Sequence, residues 1–118
     1  MKEIIHFYRV ENLANVKRFY EELMGFTLYK DQKKCLIYDC NGQGKIGFCI
    51  HHPKAMNNAT CITFVYETKD EVLKKYRFFK DHGFDIEPPE INQMFKIYHF
   101  YLKDYEGLTH EFQSFIKS

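Results

Sequence analysis

Only a handful of side chains in this sequence combine reactive chemistry with a suggestive spacing. In the alternating run Phe95–Lys103, His99 and Tyr101 fall on one strand face and Phe100 and Leu102 on the other. The apolar pair should pack under a helix, which leaves His99 and Tyr101 on the opposite side, near Glu111 of the next strand. An imidazole beside a carboxylate is either half of a metal or acid–base site or a hydrogen-bonded wall. Glu111 and His99 are the catalytic candidates. Glu111 is a general base if burial raises its pKa, or else a satisfied partner for Arg9 or a Tyr hydroxyl. Arg9 shares a strand face with Ile5 and Phe7. Its guanidinium suits a carboxylate or phosphate on a ligand, or an ion pair with an acid such as Glu111. Phe7, Phe95 and Tyr101 can stack on a planar ligand or fill a core.

The four cysteines are Cys35, Cys40, Cys49 and Cys61, with no CxxC spacing and no leader before the first strand. That pattern predicts a reduced, soluble, cytoplasmic protein whose sulfurs act as small buried apolar groups. Cys49 and Cys61 are also candidates to contact a ligand. With His51 and Glu111 they make a conceivable Cys–His–Glu metal set, without local ligand spacing to support it. Cys61 as a nucleophile would require a lowered pKa. Lys and Arg total 17 against 16 Asp and Glu, a formal charge of +1. This argues against a nucleic-acid partner, and Lys33-Lys34 reads as a solvated hairpin end. No apolar run is long enough to span a bilayer.

The elements that must position these residues follow from patterning. Glu3–Val10 alternates and reads as a strand, with His6 on the face opposite Ile5, Phe7 and Arg9. Asn12 caps a helix over Leu13–Met24, and Gly25 closes it. Strands follow at Phe26–Asp31, Lys33–Cys40 and Lys45–His52, and the last contains the unusual Gly47. Pro53–Thr60 is a connector. Cys61–Glu67 is a strand, Thr68-Lys69-Asp70-Glu71 a capping box, and His82-Gly83 the end of the second helix. Phe84–Glu87, Phe95–Lys103 and Leu108–Phe115 complete the strands, with a turn at Asp104–Gly107. The order is β-α-β-β-β twice, over about 1–52 and 60–118. The repeat extends to residues: Ile46-Gly47-Phe48 matches His110-Glu111-Phe112.

The chain resembles the vicinal oxygen chelate superfamily, which contains glyoxalase I, bleomycin-resistance proteins, fosfomycin-resistance enzymes and extradiol dioxygenases. The resemblance rests on Phe19-Tyr20-Glu21-Glu22-Leu23-Met24-Gly25-Phe26, on Asp104-Tyr105-Glu106-Gly107-Leu108-Thr109-His110-Glu111, and on the repeated element order. It implies one α+β domain with paired curved mixed sheets around a central cavity, helices outside, and a homodimer. Metal-dependent members hold a divalent ion with four ligands, one each from strands one, four, five and eight. Those positions fall here at Ile5, Gly47, Cys61 and Glu111, so the usual metal site is expected to be absent. Arg9 resembles an Arg that contacts the thiol cofactor in glyoxalase I. The expectation is a metal-independent binder of a small anionic or aromatic molecule, using Arg9, Phe7, Cys49, Cys61 and Tyr101. The alternatives are a glyoxalase-like lyase or isomerase with a rearranged metal site at Glu111, His99 and Cys61, and a dimeric partner-binding module with a filled cavity.

Overall fold

The computed structural model describes residues 2–51 and 61–116, and it falls into two compact units, Met1–Ala59 and Thr60–Ser118. The expected connector Pro53–Thr60 and the strand end at His52 lie outside the described residues.

In the first unit, β1 (Ile5–Arg9) ends where Asn12 turns the chain into a helix. The Ala14 N–H donates to Asn12 Oδ1 at 2.8 Å, satisfying one of the donors a helix start leaves without a partner. α1 covers only Leu13–Val16, and Lys17–Leu23 is a π-helix. The expected α-helix Leu13–Met24 is therefore corrected. The widening leaves Val16, Phe19, Tyr20, Leu23 and Met24 buried on one face, the stripe that helical spacing places there. Gly25, at φ +71°, turns the chain out of the helix.

β2 (Thr27–Asp31), β3 (Cys35–Asp39) and β4 (Lys45–Cys49) complete a sheet ordered β1-β4-β3-β2, with β1 parallel to β4. One face packs against the helix around Phe48, whose ring centroid lies 4.2 Å from Tyr20 and 6.1 Å from Tyr8. His6 is exposed although its register sets it on the face of Tyr8 and Val10, opposite the buried Ile46 of β4.

The second unit repeats the plan. β5 (Cys61–Val65) leads to α2 (Lys69–Asp81), where Thr68 Oγ1 accepts from the Glu71 N–H at 3.1 Å. β6, β7 and β8 are Glu90–Asn92, Ile97–Lys103 and Thr109–Phe115, in the order β5-β8-β7-β6 with β5 parallel to β8. The expected strand Phe84–Glu87 does not form. Pairing begins only after Pro88-Pro89, because proline has no N–H to give to a ladder. β7 starts after Phe95, where Lys96 takes φ 54° in the turn. Phe112 anchors the helix-covered face, with Phe100 at 4.9 Å, Phe64 at 5.3 Å and Phe79 of α2 at 5.4 Å. Phe100 and Leu102 are buried on that side, as expected.

The cysteine reading needs a second correction. Cys35 and Cys49 are joined by a disulfide, so neither is a free thiol and Cys49 offers none to a ligand. They are direct cross-strand partners with Cα atoms 4.2 Å apart, a proximity that follows from β3–β4 register and not from any local spacing. Cys40 and Cys61 remain free.

Gly47 is a position where the lack of a side chain matters. It pairs with Phe7 across β1–β4, and a Cβ added to it would overlap the Phe7 ring atoms Cε1 and Cδ1. The Phe7 ring therefore occupies the space of the missing side chain. Gly47→Ala is expected to destabilise the protein by about 1–3 kcal/mol through overpacking. Combining it with Phe7→Ala should give a loss smaller than the sum of the two. Urea unfolding midpoints of the four proteins measure this, and additive losses would contradict it.

Candidate functional site

The second sheet turns one face to α2 and leaves the other open. Along β5, Cys61, Thr63 and Val65 are exposed while Ile62 and Phe64 are partly covered. Register then assembles rows on the open face, because directly opposed residues of neighbouring strands share a side. Thr63, Glu111 and Tyr101 form one row. Val65, Gln113, His99 and Glu90 form the next.

His99 and Glu111 are diagonal neighbours across these rows, and His99 Nδ1 lies 2.8 Å from Glu111 Oε2. The Thr63 hydroxyl donates to Glu111 Oε1 at 2.9 Å, so both carboxylate oxygens are held. The pair is well sheltered, with side-chain exposures of 9% for His99 and 13% for Glu111. A carboxylate accepts only, so the imidazole carries its proton on Nδ1, and Nε2 of a neutral ring is then the acceptor. Tyr101 stands beside them, 54% exposed, its ring centroid 5.2 Å from that of His99 in an edge-on contact. Partial burial, and next the charge of Glu111, push its phenol above the ordinary range.

The turn before β8 sets this geometry. Asp104 Oδ1 accepts from the N–H groups of Glu106 and Leu108, each at 2.9 Å, and Asp104 Oδ2 lies 3.2 Å from His110 Nε2. His110 is fully buried on the face opposite Glu111. The turn that Asp104 closes thus delivers β8 with Glu111 on the open side.

A groove of ≈ 590 Å³ runs past His99 and Tyr101 and is bounded on its far side by Ile86, Glu87, Pro88 and Glu90. A smaller hollow of ≈ 300 Å³ shares Asp85, Ile86 and Tyr101 with it and reaches Lys103 and Thr109. Three carboxylates, Asp85, Glu87 and Glu90, line the larger groove, and no Lys or Arg does.

The remaining sequence-derived candidates are placed differently. Cys61 lies on the same open face, but partial burial and the charge of Glu111 raise its thiol pKa, against an opposing hydrogen bond with Thr63. It is held as a thiol, and the lowered pKa a nucleophile needs is not there. Phe95 projects from the β6–β7 turn, 66% exposed, outside β7. In the first unit, Arg9 Nη1 lies 2.8 Å from Glu11 Oε1 and donates to the Val10 carbonyl at 2.9 Å. The row equivalent to Thr63–Glu111–Tyr101 there is Phe7–Gly47–Ile37, which carries no polar side chain. Of the positions that correspond to the four ligands, Ile5 and Gly47 have no donor atom.

Thr63 and Glu90 were not among the sequence candidates. Thr63 could have been found from the internal repeat, since it opposes Glu111 as Phe7 opposes Gly47. Glu90 could not, because it needs β6 in its true register.

Comparison with known proteins agrees with this architecture. Residues 3–112 match the family described as Glyoxalase/Bleomycin resistance protein/Dioxygenase superfamily. No curated protein matches the chain. Among solved structures, a possible glyoxalase from Bacillus cereus is similar at 20% identity and TM-score 0.74, covering 95% of this chain and 97% of that one. A lactoylglutathione lyase from Agrobacterium tumefaciens is similar at 16% identity and TM-score 0.77, covering 97% and 94%. An integron cassette protein from the mobile metagenome of the Halifax Harbour sewage outfall reaches TM-score 0.79 at 20% identity, covering 97% and 99%. At these identities the likeness is one of fold.

The sheltered pair generates a stability prediction. Glu111→Ala leaves the His99 and Thr63 donors without their acceptor, and is expected to cost about 1–3 kcal/mol. His99→Ala and the double variant complete a cycle whose coupling energy should exceed about 0.5 kcal/mol. A coupling of zero from denaturant titration would show that the two side chains act independently.

Proposed function

The chain belongs to the Glyoxalase/Bleomycin resistance protein/Dioxygenase superfamily, and on that premise we propose that it binds a small organic molecule without the four-ligand metal. The binding surface is the open face of the second sheet, with the aromatic part of the ligand against Tyr101 and a polar group toward His99 and Glu90. The observation that supports this reading is the hydrogen-bonded His99–Glu111–Thr63 cluster, whose His99 lines a groove of ≈ 590 Å³. Small-molecule sites combine such a concave, partly apolar surface with a few fixed polar groups.

The donor set supports a metal-independent reading. Ile5 and Gly47 cannot ligate, the space at Gly47 is taken by Phe7, and both oxygens of Glu111 are engaged. The charge of the groove favours a neutral or cationic ligand over the anion suggested by Arg9. Its carboxylates are Asp85, Glu87 and Glu90, while Arg9 is committed to Glu11.

A second reading is favoured by the tautomer of His99. With Nδ1–H donated to Glu111, Nε2 is placed to take a proton from a bound molecule, and the carboxylate would stabilise the imidazolium formed. The protein would then be an acid–base enzyme on the same site.

Matched aromatic ammonium, neutral and carboxylate compounds distinguish ligand classes in a calorimetric titration. The neutral or cationic compounds are expected to bind and the carboxylates not. Tyr101→Ala should weaken binding by about 0.5–1.5 kcal/mol, the worth of one aromatic contact. Equal binding by the carboxylates, or affinity indifferent to Tyr101, would overturn the assignment.

A further inference from the structure

The cross-strand cysteines of the first unit have a neighbour that the proposed ligand site does not use. His51 lies two residues beyond Cys49, just past the end of β4. Its Nδ1 lies 3.5 Å from Cys35 Sγ. The ligand atoms of Cys35, Cys49 and His51 all fall within 4.8 Å of one another. Cys35 and Cys49 are buried, while His51 is exposed and opens the cluster to solvent at the end of the sheet. Tetrahedral zinc, with Zn–S of about 2.3 Å and Zn–N of about 2.0–2.1 Å, separates its ligand atoms by roughly 3.5–3.8 Å. The Cys35–His51 separation already has that value, and the two sulfurs reach it by side-chain rotation once the S–S bond is broken.

We propose that Cys35, Cys49 and His51 form a thiol-gated site for a soft or borderline metal ion such as Zn2+. The site exists when the Cys35–Cys49 disulfide is reduced and is abolished when it forms. It leaves a fourth coordination position open to water. A thiol reductant gives two electrons and two protons to the disulfide, becomes a disulfide itself, and yields two thiols. Zinc then binds both sulfurs as thiolates and the imidazole nitrogen, releasing the two thiol protons. A low-molecular-weight disulfide reverses the process: it takes two electrons from the bound thiolates and two protons from water, leaves as two thiols, and expels Zn2+. The donor set of two thiolates and one imidazole selects zinc over magnesium or calcium, which require oxygen ligands. This site lies wholly in the first unit and owes nothing to Glu111 or His99.

The test uses the full chain reduced with a phosphine and freed of the reductant anaerobically, titrated with Co2+ and then Zn2+. The reduced protein is expected to bind one Co2+ with thiolate-to-metal charge-transfer absorption, which Zn2+ bleaches. Cys35→Ser should remove that absorption. His51→Ala, a change at an exposed position that leaves the fold intact, should weaken zinc by at least the roughly tenfold that loss of even an outer-shell partner costs. Cys40→Ser should bind as the parent does. The oxidised protein, two hydrogens lighter by mass, should bind none. Absence of binding to the reduced chain, full affinity in His51→Ala, or equal binding by the oxidised chain would each overturn the proposal.

Discussion

The packing of Phe112 decides what the second sheet can offer. Its ring is fully buried, stacked on Phe100 and in contact with Phe64 and with Phe79 of α2. Strand side chains alternate, so placing Phe112 under the helix obliges Glu111 and Gln113 to face the other way. A slip of one residue would bury the Glu111 carboxylate among aromatic rings and put Phe112 in water. The Asp104 turn reinforces the same register from the other end, through two backbone N–H groups and the His110 ring. The site is thus a consequence of the core, and its chemistry is confined to the positions the core does not need.

The first unit obeys the same constraint with a different outcome. Phe48 is its Phe112, fully buried and stacked on Tyr20. The residue before it is Gly47, against Glu111 in the repeat. Around Glu111 the opposed residues are Thr63 and Tyr101, and around Gly47 they are Phe7 and Ile37. One scaffold carries a polar row in one copy and an apolar row in the other. The core aromatics are equivalent in the two copies while the open faces are not, which is how one fold family comes to hold unrelated chemistries.

Much of this was legible in the residues. The caps at Asn12 and Thr68, the turns at Gly25 and Asp104, and the alternation in β1 and β7 are local signals with local causes. They place Phe100 and Leu102 inward and His99 and Tyr101 outward without any tertiary information. What escaped needed long-range register. The π-helical stretch Lys17–Leu23 carries the same apolar stripe an α-helix would, so the residue pattern does not announce it. β6 begins beyond Pro88-Pro89, at Glu90, where pairing with His99 of β7 starts. The Cys35–Cys49 bond and the Thr63–Glu111 contact each join residues on different strands, and nothing near either partner in the chain announces the other. Charge at the groove escaped for the same reason, since Asp85, Glu87 and Glu90 meet His99 only once β6 is in place.

The central claim is that the open face of the second sheet, next to the His99–Glu111 pair, is where a small molecule binds. Backbone amide NMR with a titrated aromatic ammonium compound tests it residue by residue. The account predicts saturable shifts gathered at Ile86, Glu90, His99, Tyr101 and Glu111, with β1 to β4 unmoved. Shifts centred on Phe7, Arg9 and Gly47, with the 85–90 segment silent, would contradict it.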